Sequence, residues 1–534
     1  MKSGIKLWLF LLLLGLAGCQ SKPVKNEGRA IFRYNEAAGI LTLDPIYAKD
    51  LPHIWACNQL FNSLVALDDN MNIVPMIAKR WDISDDGLTY TFFLRNDIRF
   101  HQDTCFDRPR YLKANDVVYS FNRVVDKHLN SPGAWIFSQV RHDDQGYAFK
   151  ALDDTMFQVE LSQPFPPFLG ILSMTYASIV PHEAVDYYGD DFRRHPVGTG
   201  PFKFQYWKEA VKLVFRKNPC YFEWDGDRRL PYLDAVSISF LIDKQVAFLE
   251  FVRGKFDFMS GIDARYKDEL LARDGKLRKK YEKSIYLVTE PYLNTEYFSF
   301  FIDPNDPIGA DRAKALRQAV SYCIDRGKML RYLRNGIGTA ATGGMIPVGL
   351  PGHSDSIGYV FDMKKAQQLV AEHALEGQTL RLSTTAEYAD IGKFVQSQVA
   401  TIGVNCEMEV MPPATLRSMR SNGSLSFFRS SWVADYPDAE NYLSLFTTTN
   451  FAPDGPNYSH YSDSIYDELY GKSMHTNELN ERIRCYQSMD SLMMRDAPVL
   501  VLFYDEVLRF VNRRVDGLGS NPTNLLNLKR VRIR

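Results

Sequence analysis

The chain has one long unbroken apolar run, Leu7 to Ala17, and it stands near the start. A membrane-spanning helix needs about 20 apolar residues, so this run is too short to cross. No later segment is long and apolar enough to do so. The rest of the 534-residue chain must therefore bury its apolar residues against itself, as a body in water. At ~150 residues per domain the length corresponds to three or four domain-sized units. Such a chain can bury most of its surface without a metal or disulfide staple. Its 34 Phe, 29 Tyr and 7 Trp exclude intrinsic disorder.

The apolar run fits the central region of a secretory signal, after the basic start at Lys2 and Lys6. The following Leu16-Ala17-Gly18-Cys19 resembles a bacterial lipobox. That resemblance implies a signal peptide at 1–18, lipidation of Cys19 and a polar linker at 19–28. One acyl chain binds membranes only marginally, so stable anchoring through Cys19 takes more than one. The 63 Lys and Arg against 64 Asp and Glu leave a formal charge of −1. Nucleic-acid binding, which draws on a basic excess, is excluded on that ground. Six further cysteines (Cys57, Cys105, Cys220, Cys323, Cys406 and Cys485) show no CxxC and no regular spacing. An exported protein can pair them. The sequence does not choose among the pairings, and small buried thiols are the plainer expectation.

Early segments read as strands broken by turns. Leu88 to Leu94 follows Asp85-Asp86-Gly87, and Thr155 to Leu161 follows Asp153-Asp154. Val211 to Phe215 and Val236 to Leu241 are two more. Helical periodicity is clearest later: Leu316, Ala319, Val320, Cys323 and Ile324 share one face. Ile391 to Ile402 and Glu478 to Arg495 read as helices. Val404 to Val410 and Val499 to Tyr504 read as strands. The intermixing points to an α/β or α+β protein.

Catalytic and metal motifs are missing. There is no HExxH, no GxSxG and no paired CxxC, and the histidines are scattered. Gly471-Lys472-Ser473 looks like the end of a phosphate loop, but Tyr466 stands where its first glycine belongs. No cofactor or metal is expected. A carboxylate-pair hydrolase is not excluded by sequence, yet nothing points to one.

Several segments, in order, resemble the family 5 extracellular solute-binding proteins, the peptide-binding lipoproteins of bacterial ABC importers. They are Thr42-Leu43-Asp44-Pro45, Phe61-Asn62-Ser63-Leu64, Pro75 to Trp81, Asp86 to Phe92 and Ala114 to Phe121. Pro196-Val197-Gly198-Thr199-Gly200-Pro201-Phe202 is the central one. Arg317-Gln318-Ala319, Ile324-Asp325-Arg326 and Trp432-Val433-Ala434-Asp435-Tyr436 follow. The stretch Gln102 to Leu112, with Cys105, is longer than the family's usual turn. The resemblance implies a two-lobed periplasmic-binding-protein-like α/β fold with an extra β-rich domain and a hinge. Lobe I comprises 29–61, 191–287 and 507–534, the β-rich insert 62–190, and lobe II 288–506. The implied protein is a monomer that captures a peptide between its lobes and delivers it to an inner-membrane ABC permease. Related readings keep the fold and carry a nickel chelate, haem, an oligosaccharide or an opine; a tethered hydrolase is the reading from another class.

A carrier indifferent to side chains must grip what all peptides share: an ammonium, a carboxylate and the main chain. The resemblance assigns the ammonium to Asp435 of the WxxD motif. Trp432 then supplies an apolar wall and an indole donor, and Ser430, Ser431 and Val433 offer main-chain groups. In some oligopeptide binders of the family an arginine three residues before the tryptophan meets the C-terminal carboxylate of short peptides, and the resemblance implies that role for Arg429, whose guanidinium suits the fork geometry of a carboxylate. On the facing lobe Lys49, Asp50 and Leu51 stand where the family pairs with peptide backbone, with residue types that differ from its best-known oligopeptide binders. Those binders also carry a tyrosine where this chain has Gly133, and Trp135 is the candidate replacement.

Overall fold

A computed structural model describes residues 28–534, apart from 262, 264, 265 and 477. The expected signal segment and the Cys19 lipidation site lie outside the described residues. Among the described residues no helix is long and apolar enough to cross a membrane.

One large mixed sheet organises the chain. Its first half holds β1 (Ile31–Asn35), β2 (Phe202–Lys208), β3 (Lys212–Lys217), β4 (Ala235–Ser239) and β5 (Phe258–Ser260). The long strand β6 (Ile285–Phe300) leads to β7 (Thr379–Thr384), β8 (Asn405–Val410) and β9 (Phe427–Val433), and β10 (Val499–Asn512) runs back beside β6. The order across the sheet is β2-β3-β4-β1-β5-β10-β6-β9-β7-β8. β1 lies parallel to β4 and β5, and β7 parallel to β8 and β9. The α/β expectation is met, with helices packed on the sheet.

β6 and β10 run through both halves. Their antiparallel register goes from Ile285↔Asn512 to Pro291↔Glu506, then resumes at Thr295↔Tyr504 after an irregularity. Proline has no N–H for the ladder, so a break beside Pro291 is where the pairing is weakest. Before the break β10 also pairs with β5, at Phe258↔Val511. After it β6 pairs with β9, from Asn294↔Val433 to Phe300↔Phe427.

The expected elements appear within a few residues. The helix Ala310–Cys323 buries Leu316, Ala319, Val320 and Cys323, the face the spacing predicts. Ala389–Ala400 and Leu479–Asp496 are helices. β10 continues past the expected Tyr504. The acidic pair Asp505-Glu506 does not end it, because Arg334 pairs with Asp505. Residues 78–160 hold a four-stranded antiparallel sheet: Ala78–Ile83, Thr89–Leu94, Met156–Glu160 and Phe149–Ala151. The helix Ala114–Val125 covers it through Phe121, whose ring lies 5.4 Å from that of Phe157.

The Gly198-Thr199-Gly200 stretch owes its glycines to a close approach. A Cβ at Gly198 would sit 2.2 Å from the Leu60 carbonyl oxygen, and one at Gly200 would sit 2.4 Å from the Leu60 carbonyl carbon. Buried His101 locks the segment: its Nδ1 accepts from the Gly198 N–H at 3.2 Å and its Nε2 donates to the Gly200 carbonyl at 3.0 Å. Burial pushes His101 down to about 4, so the ring stays neutral, as these bonds need. Cys57, Cys105, Cys220, Cys323, Cys406 and Cys485 are free thiols, and four of them are buried.

Candidate functional site

Several separated segments converge on a cavity of about 330 Å³. Lys49, Asp50 and Leu51 come from the first half of the chain, and Met174 to Tyr176 from the end of the 62–190 region. Tyr292 comes from β6, Val433 ends β9 with Ala434 and Asp435 just after it, and Thr523 and Leu525 come from the C-terminal segment. The volume falls within the range of about 300–1,000 Å³ usual for small-ligand sites.

Asp435 is the carboxylate on the β9 side. Asp435 is solvent-exposed, and the surrounding protein partly desolvates its carboxyl. This desolvation pushes its carboxyl up to about 6, against a lowering contribution from Asn441. Asn441 is the organiser of the turn. Its Oδ1 accepts from the Asp435 N–H at 3.1 Å and from the Trp432 indole at 2.8 Å. Further on, Asp438 accepts from Arg482 and from the Tyr486 hydroxyl. The turn carrying Asp435 is therefore held at both ends, which preorganises the carboxylate.

Facing it, Asp50 caps the helix Leu51–Leu60 by accepting from the His53 N–H, and its carboxylate also meets the His53 ring. The Tyr176 hydroxyl is pushed up to about 12 by burial and by the nearby Asp435 and Asp50 carboxylates. It stays protonated near neutrality and can donate. Tyr176 has room because residue 133 is glycine: a Cβ there would lie 2.4 Å from the Tyr176 ring.

Further along the β6–β9 face that carries Val433 lies a second polar group. Arg429 Nη2 donates to both Glu296 oxygens, at 3.0 and 2.9 Å. The Tyr388 ring lies 3.8 Å from the guanidinium, and its hydroxyl donates to Glu296 Oε1 at 3.2 Å. Asn294 Nδ2 donates to the same oxygen at 3.2 Å. The Glu296 side chain is 5% exposed. Burial raises its carboxyl and Arg429 opposes that shift. The hydroxyl of cavity-lining Tyr292 is raised to about 12 by burial, with Asp505 and Glu296 adding to it, so the two groups are neighbours.

Elsewhere, Asp116, His182 and Glu183 bring possible metal ligands within 4.8 Å of one another. The Arg110 guanidinium already sits on both carboxylates, at 2.6 Å from Asp116 and 2.7 Å from Glu183.

The sequence profile of the bacterial extracellular solute-binding proteins, family 5 Middle, matches residues 72–454. The chain belongs to that family. Family 5 comprises solute-binding proteins and not enzymes. The chain is 25% identical over 496 residues to the dipeptide-binding protein of Escherichia coli K12, covering 89% of each. It is 26% identical over 557 residues to heme-binding protein A of Haemophilus influenzae, covering 98% of this chain and 97% of the relative. Its fold matches that of HbpA2 from Haemophilus parasuis with a TM-score of 0.82 and 23% identity, over 94% of this chain and all of the other. The two-lobed binding-protein architecture is thereby established.

In this family 5 protein, Asp435, Val433, Leu51 and Asp50 line the cavity, as does Lys49. Other expected residues are placed differently. The Trp432 indole donates to Asn441 Oδ1, and Trp432 is not among the residues that line the cavity. Arg429 is engaged by Glu296. Ser431 stands opposite Glu296 in the β6–β9 register, and the Ser430 hydroxyl accepts from Arg420 at 3.1 Å. Trp135 is 39% exposed and lies outside the cavity lining, with its ring 6.3 Å from Tyr436. The ring that occupies the space beside Gly133 is Tyr176, because the chain returns there more than forty residues later.

Tyr176, Tyr292, Asn441 and Glu296 were not foreseen. For Glu296 a signal existed: Asn294-Thr295-Glu296 is a polar run between apolar Leu293 and Tyr297-Phe298, and buried charge in a strand requires a partner. Tyr176 gave none.

Proposed function

We propose that this protein is a non-enzymatic peptide receptor of an ABC importer, anchored by lipidated Cys19 outside the cytoplasm and acting as a monomer. It holds a peptide between two lobes and passes it to the permease. The supporting observation is the placement of Asp435: a carboxylate on a turn held by Asn441, on the wall of a ligand-sized cavity between separate chain segments. A peptide ammonium supplies the charge that such a group lacks, and no cation of the protein lies among the causes of its shift. Tyr176 and the main chain at Val433 supply hydrogen-bonding groups for the first residue. Closure turns on the β6–β10 crossing near Pro291 to Thr295, where the ladder is interrupted.

The test is native mass spectrometry of the body with Cys19 replaced, as purified and after refolding, followed by exposure to a mixed peptide library. Peptides that bind wild type and not Asp435→Asn support the reading. Saturation at about 100 times Kd adds about 2.7 kcal/mol of stability, visible as a thermal shift. Retention of haem, a nickel chelate, a sugar or an opine instead, with no peptide binding, reassigns the cargo.

A further inference from the structure

The geometry points to Glu296 as a specificity-determining residue that cancels the charge of Arg429, so that the site does not read a ligand's terminal carboxylate there. This rests on the peptide-receptor reading and narrows it: the accepted ligands are peptides with a free ammonium and either a free or a blocked carboxyl end.

Four observations carry it. The Glu296 carboxylate receives two hydrogen bonds from one Arg429 nitrogen, at 3.0 and 2.9 Å. Charge-assisted contacts of this kind are the strong ones. The pair is enclosed, with Glu296 5% and Arg429 18% exposed, so water screens it little. Tyr388 and Asn294 both donate to Glu296 Oε1, which holds the carboxylate in place. Finally, the neighbouring cation Arg334 is paired with Asp505. Among the residues lining the cavity the only lysine or arginine is Lys49, which is adjacent in sequence to Asp50.

A ligand carboxylate reaching Arg429 would have to displace Glu296 and leave it buried without its cation. Breaking a buried pair in this way is strongly unfavourable. The main chain and the ammonium site at Asp435 are then what the ligand is held by, and the far end of the peptide is free to vary.

The experiment is isothermal titration calorimetry of the same peptide as free acid and as C-terminal amide, trialanine being the first probe. Wild type is expected to bind the two within threefold of each other. Glu296→Gln keeps the shape and removes the negative charge, exposing Arg429, and is expected to favour the free acid by tenfold or more. A wild-type preference for the free acid of tenfold or more overturns the inference, and that comparison does not depend on the variant folding. Equal binding of both forms by a Glu296→Gln protein with a native circular dichroism spectrum also overturns it. If wild type binds neither form of trialanine or of peptides drawn from the library, the peptide-receptor reading fails and takes this inference with it. Binding of the acid alone defeats only the inference.

Discussion

If Asp435 is the counter-charge for a peptide ammonium, binding must weaken in mild acid by a predictable amount. Burial places its carboxyl at about 6 in the unliganded protein. The ammonium needs the ionised form, and pairing lowers the carboxyl in the complex. For a group titrating at about 6, the ionised fraction is about 0.9 at pH 7 and about 0.1 at pH 5. Apparent affinity therefore falls about tenfold, or about 1.4 kcal/mol, between those values. An aspartate at the ordinary value of about 3.9 would stay over 90% ionised at pH 5, and affinity would scarcely move. The peptide's own ends change little over this range, since its amine titrates near 8 and its carboxyl near 3.5. The assay is calorimetry with one dipeptide at pH 5, 6 and 7, on wild type and Asp435→Asn. The variant should bind at least about a hundredfold more weakly at pH 7, a loss of about 2.7 kcal/mol, and lose the pH dependence. A wild-type change below twofold between pH 7 and pH 5 would refute the reasoning. Stability gives the opposite sign. A carboxyl raised by folding costs nothing below its unfolded value and its full penalty above about 6. Unliganded Asp435→Asn is thus expected to melt higher than wild type at pH 7.5, with the gap closing toward pH 4. Weaker binding together with a more stable empty protein marks a group kept for ligand and not for folding.

Two substitutions test the close approaches that shape the site. Gly133→Ala places a Cβ 2.4 Å from the Tyr176 ring. It should destabilise by about 1–3 kcal/mol in urea unfolding, as overpacking does, and weaken dipeptide binding severalfold in calorimetry by pushing Tyr176 into the cavity. Gly200→Ala meets Leu60 and Gln59 backbone at 2.4 and 2.6 Å, which cannot rotate away. A loss at the upper end of that range, about 3 kcal/mol, is expected in the same unfolding assay, with the affinity of the remaining folded protein unchanged.

Most of the fold was legible because its elements are local. Strands such as Thr89–Leu94 follow a turn and carry alternating burial, and Ala310–Cys323 shows its buried face at helical spacing. The family resemblance then ordered those elements into two lobes. Asp435, Val433, Leu51 and Asp50 could be placed at the cavity for the same reason: short motifs carry them. The full length of β10 was not legible. Its apolar run stops at Tyr504, and only Arg334, distant in sequence, lets Asp505 remain in a strand.

The sequence by itself determined the family, the α/β class, the position of the ammonium-binding candidate and the glycines at 198 and 200. The class follows from spacing along the chain, and the family, the ammonium-binding candidate and the glycine-bearing segment follow from motifs that resemble the family's in order. Tertiary structure decided what each polar side chain is bonded to. Trp432 meets Asn441, Arg429 meets Glu296 across a strand pair 133 positions away, and Tyr176 fills the space beside Gly133. A buried charge or donor takes whichever partner the fold brings within about 3 Å, and sequence separation says nothing about which one that is.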